Sequence, residues 1–118
     1  MPERGDRMKL TINWSEPVLP EEDIPQITPS DLNDFYVSAS DLDKSNLFFV
    51  LLTSCHHHLD RGREQTEARL CWLMAYYLFV ALTPPGSLEL ALHYIRRAVA
   101  LDPREEYVQW RELIERGN

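Results

Sequence analysis

Apolar residues recur at helical spacing through most of the chain after residue 28. The pattern predicts five helices, at about residues 29–37, 42–60, 63–82, 88–101 and 104–116. Residues that cap or break helices separate them: Thr28 and Ser87 are predicted N-caps, and Gly62 is a predicted stop. The sequence therefore predicts an all-α helical bundle over residues 28–118.

The N-terminal quarter of the chain has a different pattern. Apolar and polar residues alternate strictly over residues 8–14, with Trp14 on the apolar side, which predicts a short half-buried strand. Residues 15–28 are acidic, and Pro17, Pro20 and Pro25 disfavour a helix there. We expect residues 1–27 to form an extended acidic Pro-rich arm. Its strand would pair with a second copy or a partner, or lie in a groove on the helices; the alternative is a tail with chance alternation.

The third predicted helix is apolar on all sides over its last four turns. Its apolar run, residues 68–82, is shorter than the roughly 18–20 residues that span a bilayer, so a buried helix is expected. The other helices of so small a domain are expected to leave part of it uncovered. We therefore predict that another chain covers Tyr76, Tyr77 or Phe79, in a homodimer or heterodimer. The alternative is that the neighbouring helices and the arm cover this helix fully.

Charge is concentrated in the first third of the chain. The net charge is −7, and residues 1–43 account for all of it, with ten acidic and three basic residues. Phosphate binding needs a basic face, so nucleic acid is not an expected partner, whereas a protein with a basic surface is favoured. Residues 1–10 are too polar for a signal peptide, which predicts a cytoplasmic protein.

One cluster of residues suggests chemistry. Cys55 and His58 lie one helical turn apart, and Cys71 on the next helix and Asp60 are further candidate ligands. The spacing matches no standard zinc pattern, and histidines in the last turn of a helix suit the negative end of its dipole. We predict reduced core thiols and a solvated helix end, and hence no enzyme, cofactor or metal. A metal-binding or redox protein using Cys55, His58 and Cys71 is an alternative.

Residues 90–103, LALHYIRRAVALDP, resemble the second helix of a tetratricopeptide repeat. Ala91, Ile95, Ala98 and Pro103 stand at the family's small, aliphatic, Ala and Pro positions. The resemblance extends over about residues 67–116 as a single degenerate repeat followed by a capping helix. In size and charge the chain is also similar to small bacterial secretion chaperones. These resemblances imply a protein-interaction module, a chaperone or adaptor that binds a client segment in a helical groove.

Aromatic residues are the candidate anchors of such a groove, because they bury a large area and keep a polar tip. Trp72 and Trp110 are predicted to lie in the core. The predicted protein-binding residues are Trp14, Tyr76, Tyr77, Phe79 and Tyr94. A structural or regulatory homo-oligomer, in which the chain fills its own groove, is the remaining alternative.

Overall fold

A computed structural model describes residues 10–117, and within that range the chain is all-helical. Five α-helices follow one another: α1 (Pro29–Ser38), α2 (Asp41–Asp60), α3 (Glu64–Tyr76), α4 (Ser87–Leu101) and α5 (Glu105–Glu115). A 3₁₀ turn, Ile24–Gln26, precedes α1, and a π-helical segment, Tyr77–Leu82, continues α3. The predicted fold class is confirmed for this part of the chain. None of its helices has both the length and the apolar character that a membrane span requires.

Local capping explains where the first two helices begin. The Thr28 hydroxyl accepts a hydrogen bond from the Asp31 amide at 3.2 Å, and the Asp31 carboxylate accepts one from the Thr28 amide at 2.9 Å. Pro29 takes the first helical position, where its missing N–H is not needed. In α2 the Ser40 hydroxyl accepts from the amide of Asp43 at 3.2 Å. These starts agree with the sequence prediction.

The turn after α3 differs from its prediction. Gly86 is the N-cap of α4, with a φ of 80°, and Ser87 is the first helical residue instead of the predicted cap. The regular part of the third helix ends at Tyr76, and the segment from Tyr77 widens into a π-helix. That segment ends at Thr83, whose φ of 42° lies in the left-handed region. A β-branched residue rarely adopts this conformation, so the turn carries backbone strain.

Helix α3 is the centre of the core and is covered by its own chain. It packs between α2 and α4, with α5 against α4 and α1 against the π-helical segment. Every residue from 70 to 78 is buried, including Tyr76 at 8% exposure and Tyr77 at 0%. Phe79 is half-buried within the same chain. The surrounding elements therefore cover Tyr76 and Tyr77 without a second chain. The end of the apolar run is less covered, since Val80 is 43% exposed, and a partner at this helix stays a prediction.

The N-terminal segment, residues 17–28, supplies part of that cover. Leu19, Ile24 and Ile27 are buried, so this part of the predicted extended arm is packed on the helices and includes a 3₁₀ turn. The predicted strand is not observed: residues 10–13 are irregular and Trp14 begins a turn, while Met8 and Lys9 lie outside the described residues. The segment is instead held by side chains of the helices.

Three side chains hold the backbone of this segment. The Ser54 hydroxyl accepts a hydrogen bond from the Leu19 amide at 2.8 Å, and His58 Nε2 donates to the Leu19 carbonyl at 2.9 Å. Arg69 donates to the carbonyls of Ile24 at 3.1 Å and Ile27 at 2.7 Å. Buried backbone groups need such partners, so these contacts allow an irregular segment to be part of the core.

Candidate functional site

A cleft lies between α2 and α4, with α3 as its floor. It has a volume of about 420 Å³. Both α2 and α4 pack on α3 and leave a gap between them, so side chains from all three helices face this space. The lining residues are Leu52, Cys55, His56, Leu59, Glu67, Cys71, His93, Tyr94 and Arg97.

The walls of the cleft are largely apolar. Leu59 is 40% exposed and Leu52 is half-buried, both on α2. On the α4 side, Tyr94 packs its ring edge-on against Phe48 of α2, with 6.4 Å between ring centroids. Burial raises the pKa of the Tyr94 hydroxyl, which therefore stays neutral at ordinary pH. The walls thus offer an apolar surface with a neutral polar tip.

The floor of the cleft holds two thiols and a carboxylate. The sulfur atoms of Cys55 and Cys71 are 3.9 Å apart, and the candidate ligand atoms of Cys55, Cys71 and Glu67 all lie within 4.8 Å of one another. The three residues are 6%, 2% and 4% exposed, in that order. Glu67 and Cys71 are four residues apart on α3 and so share a face of that helix. Both cysteines are free, as predicted.

Arg97 pairs with the buried carboxylate from the α4 side. Its Nε donates to Glu67 at 2.9 Å, and this hydrogen bond raises the pKa of the Arg97 guanidinium. The Glu67 side chain is 5% exposed and that of Arg97 is 45% exposed, so the cation lies at the rim and the anion at the floor. A buried carboxylate requires such a partner.

The two thiols titrate as a pair. A hydrogen bond from Cys71 stabilises a Cys55 thiolate and lowers the pKa of Cys55. The same bond and burial raise the pKa of Cys71, because it must keep its proton to donate it. Cys55 therefore loses its proton more readily than Cys71, and the two thiols do not readily lose both protons unless a cation binds them.

The structure separates His58 from the cysteines with which the sequence grouped it. His58 points to the N-terminal segment, where its Nδ1 accepts a hydrogen bond from Arg63 at 3.0 Å, in addition to the bond with Leu19. The exposed Asp60 is also absent from the cluster of candidate ligands. The structure therefore does not bring His58 together with Cys55 and Cys71, the three residues of the alternative metal or redox role. Glu67 takes that place, and its spacing of four residues from Cys71 is the sequence signal that was overlooked.

The predicted aromatic anchors divide between the core and the surface. Tyr77 is fully buried and its hydroxyl donates to the Lys44 carbonyl at 2.5 Å, and Tyr76 packs against Trp110. These two tyrosines are core residues, so their placement in a groove is wrong. Trp14 is 44% exposed, Phe79 is half-buried outside the cleft lining, and Tyr94 lines the cleft. Trp72 is buried as predicted, whereas Trp110 is only half-buried.

Comparison with protein-family models, curated proteins and solved structures finds no match for the chain. The resemblance of residues 90–103 to a tetratricopeptide helix therefore stays a prediction. Ala91, Ile95 and Ala98 are fully buried, and α3 and α4 make the most extensive contact among the described elements. The small side chains of Ala91 and Ala98 allow close approach of the facing helix.

Proposed function

We propose that the protein is a binding module that holds a short apolar segment of another protein in the cleft between α2 and α4. The observation that carries the proposal is the open cleft itself. Its apolar walls include Leu59, which is 40% exposed, whereas residues 70–78 of the central helix are buried. Exposed apolar surface with a polar rim is typical of interaction sites. An adaptor or a chaperone for a client protein uses such a site.

The dimensions of the cleft favour one or two side chains of a partner as the occupant. Its volume of about 420 Å³ lies at the lower end of the range of about 300–1,000 Å³ for binding pockets. Leu59 and Tyr94 stand on opposite walls and would contact an inserted apolar side chain from both sides. The exposed part of Arg97 would donate to a carbonyl or carboxylate of the bound segment.

The acidic N-terminal third would raise the rate at which a partner associates more than it would raise the affinity. Among its acidic residues in the described range, only Asp31 is buried, and it caps α1. A negative surface steers a positively charged partner toward the protein, and this effect weakens as salt is added. We therefore propose that the bound segment belongs to a protein with a basic surface.

The proposal is tested by selecting binders from a displayed library of random peptides against the whole chain. The selected peptides are then measured with Leu59→Glu by fluorescence polarisation. Leu59 is 40% exposed, so loss of its contact would remove about 1 kcal/mol, and burying a carboxylate there would cost more. We expect affinity to fall at least about tenfold.

Val37→Glu is the matched control, because Val37 is 78% exposed on α1 and does not line the cleft. This variant should bind the peptides as the unaltered chain does. Equal binding by the Leu59 variant, or failure to select any peptide, would contradict the proposal. Sedimentation at low concentration decides the competing role: a homo-oligomer that fills its own cleft would dissociate in the Leu59 variant and not in the Val37 variant.

A further inference from the structure

We propose that Cys55, Cys71 and Glu67 form a binding site for one thiophilic divalent cation of the zinc class, open to the cleft on its fourth side. The site uses two sulfurs and one carboxylate oxygen, donors from which protein zinc sites are built. It does not depend on the proposed binding of a protein segment, since the ligands belong to the cleft floor and the cation binds the chain alone.

The spacing of the sulfurs fits a shared ion. Two Zn–S bonds of about 2.3 Å at a tetrahedral angle place the sulfurs about 3.8 Å apart. The observed distance between Cys55 Sγ and Cys71 Sγ is 3.9 Å, and a Glu67 oxygen lies within 4.8 Å of both. Two helices thus hold three ligands near their bonding positions, and small side-chain rotations complete the approach.

The charges balance with the ion bound and without it. Two thiolates and the Glu67 carboxylate carry three negative charges, which a divalent cation and Arg97 neutralise together. With both thiols protonated and no ion bound, the remaining pair of Glu67 and Arg97 is neutral by itself. Arg97 would then orient the ligating carboxylate of Glu67 without touching the ion. Its Nε donates a hydrogen bond to that carboxylate at 2.9 Å.

The fourth ligand comes from the cleft. His56 and His93 line it, one on each wall, but neither ring nitrogen lies in the cluster of ligand atoms. A water molecule therefore completes a four-coordinate site, unless one of these imidazoles rotates toward the ion. The two sources give different results on mutation. Loss of binding in His56→Ala or His93→Ala alone identifies an imidazole ligand, and retention in both identifies water; each result is consistent with the site.

The test is titration of the reduced, metal-free chain with Co²⁺, followed by displacement with Zn²⁺. We expect one equivalent to bind, with a thiolate-to-cobalt charge-transfer band and the intense visible absorption of four-coordinate Co²⁺. Cys55→Ser and Cys71→Ser should abolish the charge-transfer band or weaken it strongly. Glu67→Gln should lower affinity at least about tenfold while the band keeps its thiolate character, and Arg97→Ala should lower affinity about 10–100-fold.

His57→Ala is the matched control, because His57 is next to His56 on α2 and does not line the cleft. It should bind Co²⁺ as the unaltered chain does. Circular dichroism verifies the fold of each variant. If a cysteine variant does not fold, protection of the thiols decides instead: Zn²⁺ should slow alkylation of both cysteines in the unaltered chain. Absence of the charge-transfer band, or binding that survives both cysteine changes and disappears in His57→Ala, would overturn the proposal.

Discussion

Replacement of Ser54 by alanine tests whether side chains of the helices hold the N-terminal segment in the core. The Ser54 hydroxyl is fully buried, donates to the Val50 carbonyl at 2.7 Å and accepts from the Leu19 amide at 2.8 Å. The Val50 carbonyl keeps its helical partner after the change, but the Leu19 amide loses its acceptor. The main loss therefore concerns a buried N–H more than 30 residues away from the mutated position.

The expected change in the free energy of unfolding combines a cost and a smaller gain, and it is limited by release of the segment. A buried N–H without a partner costs about 1–3 kcal/mol, and alanine returns up to about 0.5 kcal/mol of helix propensity. Release of the segment would restore water to this amide. It would also expose Leu19, Ile24 and Ile27, whose burial contributes about 1.5–3 kcal/mol each. Release is therefore less favourable than keeping the unpaired N–H, and Ser54→Ala should lower the free energy of unfolding by about 1–2 kcal/mol.

Urea unfolding followed by circular dichroism measures this change. With a urea dependence of about 2 kcal/mol per molar, the middle of the usual range, the midpoint should fall by about 0.5–1 M without a change in slope. Ser38→Ala is the control, since Ser38 makes the same kind of bond to a carbonyl four residues earlier but is exposed. Its effect should stay within about 0.5 kcal/mol. Equal stability of the two variants would refute the assigned role of Ser54.

Three further substitutions should change the stability of the fold in predictable directions. Tyr77→Phe removes the hydrogen bond to the Lys44 carbonyl and should destabilise by about 1 kcal/mol or more, seen as a lower melting temperature. Ile95→Ala leaves a cavity at a fully buried position and should cost about 2–5 kcal/mol in chemical denaturation. Thr83→Gly should stabilise by up to about 1 kcal/mol, because glycine adopts the left-handed conformation without strain; a lower melting temperature would contradict this.

Helix positions were predictable because their signals are local. Thr28 with Asp31, and Ser40 with Asp43, define helix starts through contacts over three residues, and the structure contains those contacts. The turn after α3 was placed correctly but not its cap, since proline residues and Gly86 indicate a turn without specifying which residue has a positive φ. The widening of α3 into a π-helix at Tyr77 has no local signal that we recognise.

Contacts between distant residues were not predictable from the pattern. Ser54 and His58 are polar, and periodicity alone would assign them to solvent or to a helix end. Both are buried because the backbone of Leu19, 35 and 39 residues away along the chain, provides their hydrogen-bond partner. The pairing of Glu67 with the cysteines depends likewise on how α2 and α3 pack. Only the spacing of Glu67 and Cys71 on one helix was visible beforehand.

The apolar character of the third helix led us to expect a partner on that helix. In the structure, the cleft between α2 and α4 is a further place with apolar surface open to a partner. The chain covers α3 with its own N-terminal segment, which uses one side of α2 through Ser54 and His58. On the adjacent side of α2, Leu52 and Leu59 line the cleft, and no segment among residues 10–117 fills it. The side of α2 with Ser54 and His58 already holds the N-terminal segment. A segment of another protein would therefore find exposed apolar contacts on the side with Leu52 and Leu59.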